Sequence, residues 1–403
     1  MRVLIVNTLY PPAQIGGAER SVAELAQGLA ATGVQTAVLT LGAGGSTERD
    51  RDGVVTVYRA PLRNLYWPYD GERRRAVQRA IWHGLEAANP LMNGAVDAVV
   101  AATRPDLIHL HLSTGFSLSV HRAAARRGLP LVQTLRDWSM MCVRASMFRR
   151  ERRCVRRCGA CVLATAAKRA RSQAVDHVIG LSQPVLNAHI GAGYFRASST
   201  SVIGNAASDR PVQPRPAPAD GAGVAFGFMG RIEPEKGIEV LLRATAALSG
   251  DWRLWIAGRG AAAYVARLQE AWRDPRIVWL GQVEPAAFWR RIDVLVAPSV
   301  WIEPFGRVVI EAAQQGRGVI ASRIGGLPEA AQAAEAAILT TPGDVADLSR
   351  ALQQVLAAPD RWRAAGPDRA RWTEAAIVQA HLAVYRQVVE SQSSRMAADA
   401  AQS

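Results

Sequence analysis

Residues 211–237 read PVQPRPAPADGAGVAFGFMGRIEPEKG, and the change of texture halfway along decides how the chain is built. The first thirteen residues are rich in Pro, Ala and Gly with no apolar period, which describes a linker. VAFGFM, 224–229, then reads as a buried strand, followed by a glycine turn and an amphipathic helix over 238–248. Downstream, strand-like runs at 254–257, 277–280, 294–297 and 319–321 alternate with helical periods at 261–271, 306–315 and 345–356. Upstream the same alternation gives strands at 3–6, 38–41, 54–58, 107–110, 131–133, 177–180 and 201–203, and a helix over 19–31 with Val22, Leu25 and Leu29 on one face. Such alternation predicts parallel sheets covered by helices on both faces. The expectation is an α/β chain of two doubly wound, Rossmann-like domains, 1–210 and 224–370, with an irregular Cys/Arg-rich insertion at about 137–165. A helix within 371–403 is expected to pack back on the first domain and end in a disordered tail. Ligands of doubly wound sheets bind beyond the carboxyl ends of the strands, which predicts a site in a cleft between the domains.

The bulk numbers agree with two domains, since 403 residues exceed the size at which a single core usually stops growing. No apolar run approaches the ~18–20 residues of a spanning helix. The opening MRVLIVNTLY meets two prolines too early for a signal peptide, so a cytoplasmic chain is expected. Of the net charge of +14, +12 falls in residues 61–180, from 20 basic and 8 acidic side chains. Arg73–Arg75 and Arg149–Arg157 are its densest runs, and Asn64–Tyr69 (NLYWPY) adds aromatic groups suited to a headgroup layer. Such a region attracts anionic lipid or nucleic acid. Aromatics are not interleaved with bases as in an RNA-binding sheet, so a peripheral membrane contact is expected and a nucleic acid is not.

Four segments carry chemistry. GRIEPEKG, 230–237, sets Gly230, Arg231 and Lys236 where a strand passes into a helix, a place for phosphate. Lys236 is one of only two lysines against 46 arginines, which points to a need for a compact ammonium. EPFGRVVIE, 303–311, sets Glu303 just outside a helix that starts at Gly306, and Glu311 about one and a half turns in. A carboxylate within an apolar helix needs a partner, either an arginine or a polyhydroxylated ligand. The spacing favours a diphosphate on the helix N-terminus with a sugar near Glu303 and a ribose near Glu311. GGLPE, with Gly325 and Gly326, and GGAER, with Gly16 and Gly17, are further strand-to-helix turns that admit an anion or a sugar.

Taken together and in this order, the four motifs resemble the retaining nucleotide-sugar glycosyltransferases of family 4, with the GT-B fold, over residues 1 to about 390. The resemblance implies a UDP- or GDP-sugar held mainly by the second domain, an acceptor held mainly by the first, and no cofactor required for transfer. It gives Arg231 and Lys236 the diphosphate, Glu303 the donor sugar hydroxyls, and Glu311 the ribose. Phe305 and Gly306 contribute backbone N–H groups, and Gly16 and Gly17 close over the donor. The acceptor, a glycan or a lipid-linked sugar of cell-surface polysaccharide or glycolipid synthesis, would meet the segment LPLVQTLRDWSMMC, where Arg136–Asp137 stands in place of the family's usual His–Asp. His111 is expected on the same side, with a satisfied core histidine as the alternative. A GT-B epimerase and a non-catalytic membrane scaffold are the other readings; a Rossmann dehydrogenase is disfavoured because no G-x-G-x-x-G opens the first helix. The cysteines, Cys142, Cys154, Cys158 and Cys161, lie within twenty residues, a spacing that suggests a structural zinc site, an iron–sulfur cluster, or free thiols.

Overall fold

The computed structural model describes residues 1–13, 16–70, 72, 74–207, 212–213, 223–363 and 372–402. Most of the expected linker, and Arg73, therefore lie outside the described residues. Two compact units emerge, Met1–Met147 with Val155–Asn205 and Glu374–Ser403, and Phe148–Cys154 with Ala206–Thr373.

In chain order the strands are β1 (Arg2–Val6), β2 (Gln35–Gly42), β3 (Glu48–Asp52), β4 (Val55–Pro61), β5 (Leu107–Leu110), β6 (Leu131–Leu135), the short hairpin β7 (Phe148–Arg149) and β8 (Arg152–Arg153), β9 (His177–Gly180) and β10 (Ser199–Val202). They continue with β11 (Val224–Met229), β12 (Trp252–Ala257), β13 (Ile277–Gly281), β14 (Val294–Ala297), β15 (Gly318–Ser322) and β16 (Ala337–Thr340). The helices are α1 (Gly17–Ala31), α2 (Ala76–Ala88), α3 (Asn93–Thr103), α4 (Ser119–Arg127), α5 (Gly159–Ala164), α6 (Ala166–Arg171), α7 (Gln183–Gly191), α8 (Ile238–Ala246), α9 (Ala262–Ala271), α10 (Pro285–Trp289), α11 (Arg307–Gln314), α12 (Leu327–Ala331), α13 (Val345–Ala357), α14 (Pro359–Arg363) and α15 (Glu374–Gln402).

The first unit is an eight-stranded sheet ordered β10-β9-β6-β5-β1-β2-β4-β3. All its pairings are parallel except β3 with β4. β3, sequence ERDRD, carries no apolar side chain and so escapes a search for hydrophobic runs; it caps the edge with charge, which blocks further strand pairing. α1 buries Val22, Leu25, Ala26 and Leu29 at the spacing of a helix with one apolar face. α15 returns to this unit and packs against α1, and its Tyr385 hydroxyl lies 2.6 Å from His109 Nδ1. Its backbone is helical to Gln402, where a disordered tail is the expectation from sequence.

The second unit is a six-stranded, wholly parallel sheet, β13-β12-β11-β14-β15-β16. The chain runs outward from β11 to β13, then crosses back to β14 and proceeds the other way. The order therefore reverses between β11 and β14, the place where an open α/β sheet leaves a crevice at its carboxyl ends. Phe226, Phe228, Ile256, Val294 and Val296 of these strands are buried with Leu241 and Leu242 of α8 and Trp362 of α14. Each such side chain contributes ~1.5–3 kcal/mol on burial, and together they hold the strand ends in register.

Candidate active site

β11 and β14 are hydrogen-bonded neighbours, so the loops leaving their carboxyl ends, 230–237 and 298–306, emerge side by side. The Val300 N–H donates to the Glu235 carbonyl at 3.0 Å and ties them together. Across this junction Lys236 Nζ lies 2.5 Å from Glu303 Oε1, both side chains mostly buried. The same ammonium sits 5.1 Å from the centre of the Trp301 ring. It is thus held between a carboxylate and the negative face of an indole, the latter worth ~0.5–2 kcal/mol. Trp301 is buried, and its Nε1–H has no hydrogen-bond acceptor among the described residues. Its place in the site is not legible from sequence, where it is one aromatic in a loop.

The turn after β15 supports the same loop. The Gly326 N–H donates to the Glu303 carbonyl at 2.8 Å. Gly325, at φ +56°, adopts the left-handed conformation, and a Cβ there would lie 2.2 Å from the Glu303 carbonyl oxygen, so glycine is required on both counts. Gly306, at φ +97°, is the N-cap of α11, and a Cβ there would strike Leu327 of α12 at 2.4 Å. Phe305 is buried against the Trp372 ring, 5.3 Å between centres. The first amides of α11 have no acceptor within the helix by geometry, which makes its start an anion-compatible end.

Two expected contacts differ from the sequence reading. Glu311 does have an arginine partner: Arg307 Nε donates to its Oε1 at 2.9 Å, one turn earlier on α11. The i, i+4 spacing makes this pair readable in the sequence. Arg231 turns toward its own loop, 2.7 Å from Glu233 Oε2 and 4.0 Å from Glu235 Oε1, and its side chain is half exposed. The structure thus brings Lys236 and Glu303 together and leaves Arg231 with acidic neighbours.

In the first unit, Gly17 opens α1, and the Gly16 N–H is already engaged, donating to Glu19 Oε2 at 3.0 Å. His111, directly after β5, is buried. Arg136, after β6, donates from Nε to His111 Nδ1 at 2.8 Å and from Nη1 to Asn205 Oδ1 at 2.7 Å. A guanidinium can only donate, so His111 Nδ1 is the acceptor and the proton sits on Nε2, which has no partner among the described residues. Burial, then His109 and Arg136, push the His111 pKa well below the usual histidine range and keep the ring neutral. Burial raises the Asp137 pKa against the Ser139 N–H, which donates to Oδ1 at 2.8 Å. The satisfied-core alternative for His111 therefore holds for one ring nitrogen only.

None of the four cysteines is in a disulfide. Among the described residues no group of three or more His, Cys, Asp or Glu side chains is arranged to hold a metal ion, so the geometry gives the zinc reading no support. Cys142 and Cys161 are buried, Cys154 is half-buried and Cys158 is exposed.

Residues 16–206 match the family model described as glycosyl transferase 4-like domain, and residues 223–358 match the model described as glycosyl transferases group 1. A glycogen synthase of Mycobacterium tuberculosis is 30% identical over 402 residues, covering 92% of this chain and 89% of that protein. The chain belongs to the family 4 glycosyltransferases. Its fold is GT-B: a sucrose-phosphate synthase from Thermosynechococcus elongatus superposes with a TM-score of 0.74 at 20% identity, over 97% of this chain and 99% of the other. HepE of Anabaena in complex with UDP-glucose superposes with a TM-score of 0.64 at 21% identity, over 98% and 100%. Within this glycosyltransferase, Lys236, Trp301, Glu303 and Glu311 fall in the group 1 match, and His111, Arg136 and Asp137 in the 4-like match.

Proposed function

We propose that this glycosyltransferase moves a sugar from a UDP- or GDP-linked donor to a hydroxyl of a glycan or lipid-linked acceptor, with retention of anomeric configuration. The observation that carries the reading is the Lys236–Glu303 pair, 2.5 Å apart, at the strand-order reversal of the second unit and beside the start of α11. A nucleoside diphosphate leaves with two negative charges. Lys236 and the first amides of α11 would meet them, and Arg231 would exchange Glu233 for the same group. Fixed charges and dipoles aimed at developing charge commonly contribute most to such catalysis, and here they do the work a divalent cation would otherwise do. Glu303 would accept hydrogen bonds from donor sugar hydroxyls once Lys236 turns to the phosphates. The acceptor oxygen bonds to the anomeric carbon on the face the diphosphate leaves, and the departing phosphate oxygen takes the acceptor's proton. No protein nucleophile enters, so Glu303 attacks nothing. The UDP-glucose in the HepE structure supports a nucleotide-sugar donor for this fold.

The test is a thermal-shift panel of UDP-, GDP- and ADP-sugars, since a ligand of the native state raises the unfolding temperature. The stabilising donor is then incubated with acceptors in the presence of a chelator. Expected are stabilisation by one nucleotide class, acceptor mass increased by one sugar, the donor's anomeric configuration in the product, and indifference to the chelator. An isomerised free donor with unchanged acceptor would mean an epimerase, and no stabilisation by any nucleotide sugar would remove the donor site.

A further inference from the structure

The first unit leaves an apolar face uncovered. Of the thirteen residues of α2 only Trp82 and Glu86 are buried, four positions apart on one side. Val77, Ile81 and Leu85, also four apart, form a second stripe that is 69%, 50% and 37% exposed. α2 packs against α5 and α6. α5 in turn exposes Val162 and Leu163, the latter at 80%, and Val155 shortly before it is 84% exposed. Single apolar residues on a surface are ordinary, whereas a helical stripe of them beside further exposed aliphatic groups marks an interaction surface.

The charge around this face selects the occupant. From Arg152 to Val175 the chain has no Asp or Glu and seven basic residues. Lys168 is buried, its ammonium donating to the Ser139 carbonyl, but Arg156, Arg169 and Arg171 are exposed, as are Arg75 and Arg79 at and near the start of α2. The one carboxylate of α2, Glu86, points inward and accepts the Gly115 N–H. An apolar stripe rimmed by guanidinium groups, with no exposed carboxylate on α2, α5 or α6, has the composition of a helix that lies in a lipid headgroup layer. A second copy of the chain would instead set arginine against arginine.

We propose that α2 and α5 form the docking surface of this glycosyltransferase for an anionic phospholipid bilayer. Aliphatic side chains enter the acyl boundary, and the arginines pair with headgroup phosphates. Among the described residues no helix is long and apolar enough to cross a membrane, so the contact is peripheral. The aliphatic residues of the helices, more than the aromatics of 64–69, make the contact, because Tyr66 packs on Trp82 and holds the Trp82 indole N–H with its carbonyl at 3.1 Å. The inference stands apart from the donor chemistry, and its test uses no activity.

The full chain is cosedimented with phosphatidylcholine vesicles and with vesicles of phosphatidylglycerol and phosphatidylcholine, at low and high salt. Expected is binding to the anionic vesicles that weakens several-fold in high salt, and a loss of about ten-fold or more in the combined variant Val77→Ser, Ile81→Ser, Leu85→Ser. Leu163→Asp, at a site open to solvent, should lose several-fold by itself with an unchanged unfolding temperature, which guards against a misfolded triple variant. Binding to neutral vesicles equal to that of anionic ones, or variants that bind as the parent does, would overturn the proposal. So would a lipid-free dimer that the same substitutions abolish, which would assign the surface to a second copy.

Discussion

All seven histidines of the chain lie in the first unit, and eight of its eleven tryptophans in the second. The two units share one architecture and differ in the polar groups most prominent at their strand ends. The first buries neutral hydrogen-bonding groups: His109 sits between Tyr385 and Thr134 at 2.6 and 2.7 Å, His121 meets Gln133 at 3.2 Å, and His111 takes the Arg136 guanidinium. The second keeps ion pairs at its strand ends and helix start, Lys236 with Glu303, Arg231 with Glu233, and Arg307 with Glu311. A doubly wound sheet supplies crevices and says nothing about what fills them. What fills them depends on the side chains at the loop ends.

The contrast breaks or sharpens first under acid. Burial pushes His121, His189 and His381 down to about 4, and holds His109 and His111 well below the usual range. An unfolded chain protonates histidine near 6.5, so between about pH 6.5 and 4 the unfolded state binds more protons. The stability these residues contribute is complete above 6.5 and is lost as pH falls through that window, about 3 kcal/mol for each group held near 4. Glu86 works the other way, since burial raises it to about 7 and its cost disappears as it protonates below that value. One carboxyl does not offset five histidines. Histidine NMR and amide exchange should therefore show the first unit opening between pH 6 and 4 while tryptophan fluorescence, which reports mainly the second, holds. A tryptophan transition at the same pH would erase the contrast.

Removing charge should hurt the second unit's chemistry more than removing a neutral donor hurts the first's. Lys236→Ala is expected to lower turnover about 100-fold, on the order of 3 kcal/mol of leaving-group stabilisation, and His111→Ala about ten-fold, the scale of one lost hydrogen bond. Steady-state kinetics on the donor found by thermal shift settles the ranking, and equal losses would mean that both units handle charge. In the same assay Glu311→Gln should weaken nucleotide binding with turnover little changed, and Arg307→Ala should copy it by releasing the carboxylate.

Trp301 offers a finer test. Its N–H has no acceptor among the described residues, a buried cost of ~1–3 kcal/mol, so what recommends an indole here is its face toward Lys236. Trp301→Phe keeps a ring face and removes the orphaned donor; activity within about three-fold and an unfolding temperature no lower are expected. Trp301→Leu keeps bulk without the face and should cost about ten-fold in turnover. Two variants with the same activity would show that the ring only fills space. With two lysines in the chain, lysine-selective NMR can follow the Lys236 signal directly: its ring-current shift should vanish in the Leu variant and persist in the Phe variant.

The smallest expected effect concerns the cysteines. Cys158, exposed, should react with a thiol reagent first, and Cys142 and Cys161 last. The Cys161 thiol is pushed up to about 12 by burial, with the neighbouring Cys142 and Cys158 adding to the shift, so little of it is thiolate near neutrality. Four titratable thiols and no bound zinc are expected. Thiols masked together and released by a chelator would instead support the zinc site.

Much of this molecule is local and could be read along the chain. Periodicity placed most strands within two or three residues, because burial on both faces leaves a continuous apolar run in a parallel strand. β3 escaped because an edge of charged residues carries no such run, whereas α15 packs on the first unit, as expected for it. The glycine turns and both glutamates of 303–311 were legible, since each depends on neighbours a few residues away. The Arg307–Glu311 pair was equally local, but spacing alone does not rank an ion pair against an absent ligand.

What only the tertiary structure decided is which distant groups meet. Lys236 and Glu303 are 67 positions apart, yet 2.5 Å apart in space, because β11 and β14 are neighbours and not consecutive strands. Arg136 reaches His111 because β5 and β6 pair side by side, which sets their carboxyl ends close together. The sequence alone determined the kind of most elements and the chemical character of the loops between them, through interactions that decay within a turn or a strand. The order of strands is set by how the whole apolar surface of a unit is buried at once, and that order decides which cation faces which carboxylate.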